Sequence, residues 1–154
     1  MAIQPKLTTI AACRVARIDR DRFNEHVAAD RFPCAPDTIA GRARLFDPDD
    51  MVALWLFREL LDDGVARERA GHIACQVARC ARQNPQAEAV AYVETFVGSK
   101  AAVVADEVSH HSKWGEVTFG GSDIRKVTTF NIAKTRKLIA HYTAEEQSII
   151  GPDD

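Results

Sequence analysis

The chain has 154 residues, 46% of them hydrophobic and 27% charged, with a formal net charge of -2. That composition fits one ordinary domain or two small ones and excludes disordered, collagen-like and disulfide-framework classes. The near-neutral charge argues against indiscriminate polyanion binding, and no run approaches the roughly 18 apolar residues of a membrane helix. The expectation is a soluble, cytoplasmic protein without a signal-peptide core. Charge is unevenly spread. Residues 1–46 hold 8 Lys/Arg and 5 Asp/Glu, residues 47–86 hold 5 and 7, and residues 87–154 hold 7 and 10. A basic, arginine-dominated head precedes an acidic body.

Thr8 or Thr9 caps a predicted short helix carrying Ile10, Ala11, Ala12 and Val15. Asp19 caps a second, in which Phe23 and Val27 form an i, i+4 apolar pair. The prolines in Phe32-Pro33-Cys34-Ala35-Pro36-Asp37 forbid helix, so a loop or β-ribbon runs to Phe46. Asp47-Pro48-Asp49-Asp50 is a helix start: a cap, proline in the first turn, and acids at the positive end of the dipole. That helix closes at Asp62-Asp63-Gly64, and another follows over Val65 to Gln83, rich in small residues. Asn84-Pro85 ends it and marks the expected boundary between domains 1–84 and 85–154.

Beyond the boundary the period becomes that of strands. Ala87–Val97 and Lys100–Val108 predict a hairpin turning at Gly98-Ser99; Glu116–Phe119 and Ile124–Phe130 predict a second pair around Gly120-Gly121-Ser122-Asp123. Asn131 caps a last helix through Ile132, Leu138, Ile139 and Tyr142, and the tail from Glu145 is expected to fray. The fold class is therefore α+β: a helical N-terminal part followed by a small β-rich C-terminal domain.

The first 83 residues read helix, turn, helix, ribbon, helix, helix, which is a winged helix-turn-helix layout. The segment Gly41-Arg42-Ala43-Arg44-Leu45-Phe46-Asp47-Pro48-Asp49-Asp50-Met51, followed by Leu54, Leu60, Gly64 and Val65, resembles the amino-terminal DNA-binding domain of the mercury-resistance-regulator (MerR) family. The likeness spans roughly Leu7 to Ile73. It implies a homodimeric transcriptional regulator whose second helix enters the major groove of double-stranded DNA and whose wing lies on the backbone. Arg17, Arg20, Arg22 and Asn24 are the expected contacts from the second helix and its approach, since arginine can grip guanine and asparagine can pair with adenine. Arg42 and Arg44 alternate with Ala43 and Leu45, so both would leave one ribbon face toward phosphates. Residues 85–154 would dimerise, or bind a protein partner or small effector.

Other readings of the same residues are blander or rarer. The arginines can be solvated surface or pair with Asp19, Asp21 and Asp30. In this chain Arg22-Phe23-Asn24 stands where the family places an arginine followed by paired aromatics, which favours a protein-interaction regulator that kept the fold without DNA binding. An architectural or excisionase-type DNA-binding protein uses the same fold. Cys13, Cys34, Cys75 and Cys80 match no zinc or oxidoreductase spacing and are expected as reduced, mostly buried thiols. His72 with Cys75 and the pair His110-His111 have ligand chemistry, but packing thiols and exposed loop histidines are the simpler account. The amphipathic last helix, with Lys134, Arg136 and Lys137, suits packing on the sheet better than a membrane surface. No G-x-S-x-G, H-E-x-x-H or P-loop pattern is present, so neither catalysis nor a cofactor nor a metal is expected.

Overall fold

The structure is a computed structural model that describes residues 4–38, 42–116 and 118–150. Thr8 ends a two-residue strand, β1 (Leu7–Thr8), and its Oγ1 accepts a hydrogen bond from the Ala11 amide at 3.4 Å, starting α1 (Thr9–Ala16). Arg17, Ile18 and Asp19 make the turn. Asp19 Oδ2 then accepts from the Arg22 amide at 3.0 Å and starts α2 (Arg20–Ala28). After the proline-containing loop, β2 (Leu45–Phe46) pairs antiparallel with β1, Leu7 opposite Phe46. The ribbon expected before Phe46 does not form as a hairpin of its own among the described residues: only Leu45–Phe46 is strand, it pairs with β1, and Arg42, Ala43 and Arg44 lie in no strand; residues 39–41, Gly41 of the family-like segment among them, lie outside the described residues.

At the start of α3 (Pro48–Asp62), Asp47 Oδ1 accepts from the Asp50 amide at 2.8 Å and Asp50 Oδ2 accepts from the Asp47 amide at 2.9 Å. This reciprocal box satisfies two helix-end donors at once. Arg82, near the end of α4 (Arg67–Gln83), donates to both Asp47 and Asp50, so the box also ties the two long helices together. Burial pushes the Asp50 carboxyl up to about 6, helped by the neighbouring Asp47 charge. Burial also acts on Asp47, but the Arg82 guanidinium and the Asp50 amide outweigh it and hold Asp47 below its ordinary value. A folded-state value for Asp50 above the ordinary 3.8 means that the folded chain binds that proton more tightly than the unfolded chain. Its contribution therefore weakens as pH rises through about 6, whereas that of Asp47 is lost only when pH falls below 3.8. Thermal or urea unfolding should show stability falling by about 1 kcal/mol between roughly pH 5 and pH 7, and Asp50→Asn should flatten that dependence.

The remaining elements are β3 (Ala89–Thr95), β4 (Lys100–Val104), β5 (Ile124–Asn131) and α5 (Ile132–Ile150). The hairpin of β3 and β4 forms as expected. The second predicted pair does not form among the described residues, and Val117 of its first segment lies outside them. Phe119 bridges only Ser122 across the glycine turn, and β5 instead runs antiparallel to β3, giving the sheet order β4-β3-β5. The reason is that β3 offers a seven-residue partner buried on both faces, far more ladder than a four-residue segment can supply. On one face Val90 and Tyr92 join the helical core; on the other Ala91 and Val93 meet Ile124, Val103 and Trp114. Asn131 caps α5 as predicted, its Oδ1 accepting from the Lys134 amide at 2.9 Å. The tail does not unwind at Glu145: Arg14 of α1 pairs with Glu146 at 3.0 Å and holds the last turns on α1.

One hydrophobic cluster contains residues of α1, α3 and α4 together with Val90, Tyr92, Ile132 and Ile139, so the core is continuous across Asn84-Pro85. Within it Phe57 of α3 meets the rings of Phe32 and His26, and Phe23 of α2 packs between Phe32 and Phe46. The cysteines depart from the expected thiols. Cys34 in the loop after α2 and Cys75 of α4 form a disulfide, while Cys13 and Cys80 are free and buried. Burial, reinforced by the charge of Asp19, pushes Cys13 up to about 11, leaving an unreactive thiol. The disulfide spans 41 positions, a loop long enough for its removal to cost about 3 kcal/mol through the unfolded chain's entropy. Cys34→Ser, or a thiol reductant, should lower the melting temperature by roughly 10 °C.

Candidate nucleic-acid interface

The α1–α2 unit consists of two short helices joined by a three-residue turn, and its geometry is set locally. Arg17 adopts a left-handed conformation, φ 61°, which lets the Ile18 amide donate to the Cys13 carbonyl at 3.0 Å and closes α1 tightly. Phe23, buried against Phe32 and Phe46, then fixes the rotation of α2 on the core.

At about 100° per residue, that anchoring decides which side chains leave the protein. Arg20 and Asn24 lie one turn apart on one flank of α2, and Arg22 lies on the opposite flank; all three are exposed. Asp21 and Glu25 occupy the outermost line between them. Arg20 pairs loosely with Asp21 at 3.6 Å, whereas Arg22 and Asn24 make no side-chain hydrogen bond or ion pair among the described residues. Arg17 places its guanidinium 4.7 Å from the centre of the Tyr142 ring. Arg42 is exposed, but Arg44 is half-buried and its Nη1 donates to the Pro36 carbonyl, so the two do not share one free face. Five of the six predicted residues thus form three groups, Arg20 with Asn24, Arg17 with Arg22, and Arg42 ahead of β2, while Arg44 is turned to the Pro36 carbonyl.

Arg17 and Arg22 open onto a groove of about 910 Å³ that sequence reasoning did not foresee. Arg31, Arg58 and Arg67 line it as well, and His26 faces it. These residues come from α2, its following turn, the end of α3 and the start of α4, so no linear spacing joins them. Only His26 carried a signal, falling three positions after Phe23 on the inward side of α2. Arg58 is committed, donating to the Ala16 carbonyl at 2.9 Å and to Asp62 at 3.0 Å. Burial, and then the charges of Arg31 and Arg67, hold His26 below its ordinary value, so its ring is neutral near pH 7.

The other residues singled out for ligand chemistry are dispersed. Cys75 is in the disulfide, His72 meets the Tyr92 ring edge-on, and His110 and His111 are exposed with their rings 4.0 Å apart. Among the described residues no three His, Cys, Asp or Glu side chains gather as a metal site, and no helix is long and apolar enough to cross a membrane. No protein-family model matches the chain, and no curated protein matches its sequence.

Proposed function

We propose that this chain is a sequence-specific double-stranded DNA-binding transcriptional regulator with a MerR-like winged helix-turn-helix at residues 1–84, acting as a homodimer. The observation that carries the reading is the capped α1-turn-α2 unit, whose second helix is fixed by Phe23 and exposes Arg20 and Asn24 on one flank and Arg22 on the other. A helix so presented fits the major groove, and exposed Arg42 beside the β1–β2 pair suits a backbone phosphate. Residues 85–154 would dimerise, or bind a protein partner or small effector; a two-fold dimer would set half-sites about one helical turn apart. Neither catalysis nor a cofactor is part of this function.

Anisotropy of a labelled duplex, titrated with the full chain across a salt series, tests it. Binding should weaken steeply with salt, the slope of log K against log salt being about -0.9 for each phosphate neutralised. Folded protein that leaves the duplex free even at about 50 mM salt would overturn the proposal. One observation favours a protein-interaction regulator instead: Asp21 and Glu25 on the outermost line of α2 repel phosphates and suit a basic protein surface. Under that reading the duplex stays free and a partner binds through the same helix.

A further inference from the structure

The groove beside α2 contains groups that the DNA reading leaves unused. His26 is 8% exposed, lines the groove, and leaves Nδ1 shielded from solvent with no hydrogen-bond partner among the described residues. A buried polar atom in that state is costly, and natural proteins rarely keep one without a reason. Arg67, the first residue of α4, lines the same groove, and α4 starts there without a side-chain cap because Ala66 offers no acceptor. The N-terminus of this 17-residue helix therefore has uncapped amide donors and the positive end of the dipole.

The local carboxylates, with Glu25 among the lining residues, offset only part of this collection. Asp19 is taken up by the Arg22 amide, Asp62 by Arg58, and Glu68 by Arg31 at 3.5 Å. Among the described residues Arg17, Arg22 and Arg67 have no carboxylate within ion-pair distance. Guanidinium forks and a helix N-terminus at one groove, with a largely buried imidazole in its wall, match a tetrahedral oxyanion with several acceptor atoms.

We propose that this groove binds a small phosphate-bearing anion of the pyrophosphate or phosphate-monoester class, held by Arg31 and Arg67, with the His26 ring in the groove wall beside it. The site does not depend on the DNA reading, and its own anchors lie outside the predicted DNA contacts. A DNA backbone phosphate shares the chemistry, so the test must separate the two sources. Anion binding favours imidazolium, which gives a direct readout. The charges that face His26 are Arg22 and Glu25 of α2, Arg31 after it, Arg67 of α4, Arg17 and Asp19 of the turn, and Arg58 and Asp62 of α3. A bound dianion adds to the carboxylates, offsets the arginine charge around the ring and moves the His26 titration to higher pH.

The experiment is an NMR titration of the full chain with pyrophosphate at constant ionic strength, following the His26 ring and its pH titration. A saturable shift, with His26 titrating at higher pH when the anion is bound, is the expected result. Arg31→Ala with Arg67→Ala should weaken binding roughly tenfold to a hundredfold, as expected for lost charge-assisted hydrogen bonds, while Arg42→Ala leaves it unchanged. Exposed Arg67→Glu alone serves as the second variant if the pair disturbs the amide spectrum. A shift that sodium chloride reproduces, or equal binding by the variants, would overturn the proposal. A duplex that perturbs His26 where pyrophosphate does not would also overturn it, assigning the groove to the DNA backbone.

Discussion

Replacing Arg20, Arg22, Arg42 and Arg44 together with alanine should weaken duplex binding by roughly a thousandfold at about 150 mM salt and shrink the salt slope by about 3 to 4. The four are arginines expected to meet DNA, and three of them are exposed in the free chain. Arg44 is the exception. It also donates to the Pro36 carbonyl, so the quadruple variant requires an unfolding curve beside its binding curve. Surface arginines contribute little to stability, and the melting temperature should fall by only a few degrees. The reciprocal change supplies a control: Asp21→Ala with Glu25→Ala removes the acids from the outer line of α2 and should tighten DNA binding several-fold at low salt. Equal affinity in the arginine variant would place the duplex contacts elsewhere on the molecule.

Gly71→Ala should be the most damaging single methyl in the chain. A Cβ at this position of α4 would stand 1.6 Å from the Arg31 carbonyl oxygen and 2.8 Å from its carbon, both backbone atoms that no rotamer can move. Relief requires α4 to separate from residues 31 and 32, which withdraws the buried Phe32 from its contacts with Phe23 and Phe57 and pulls on the Cys34–Cys75 link. The expected loss is about 3 to 5 kcal/mol, read as a lower urea midpoint or as failure to accumulate folded protein. Gly64→Ala is the comparison. Its φ of 87° disfavours a side chain but nothing lies within 4 Å of the added carbon, so the cost should be only about 1 kcal/mol. Near-wild-type stability of Gly71→Ala would contradict the close approach of α4 to the segment after α2.

What the residues announce in advance is mostly local. Asp19, Asp47 and Asn131 each precede a helix and each accepts from the amide three residues on, because capping is chemistry between near neighbours. The flanks of α2 were equally legible, since rotation at about 100° per residue already separates Arg22 from Arg20 and Asn24. Long-range choices were not. Nothing in the spacing of Cys34 and Cys75 distinguishes that pair from others, and the alliance exists only because α4 packs against the loop after α2. The partner of β5 was misjudged for a similar reason: adjacency favoured Phe119, whereas β3 offered a longer buried ladder. The end of α5 is held by Arg14, 132 positions away. The groove around His26 draws on four separate stretches, so only folding assembles it.

The most direct test of the DNA-binding account is capture of sheared DNA from the source organism by the purified chain at about 150 mM salt, followed by sequencing, because that salt suppresses weak non-specific contacts. The account predicts enrichment of a few fragments sharing an inverted repeat whose half-sites lie about one helical turn, or a multiple of it, apart. Uniform or absent recovery from protein shown to be folded would contradict it.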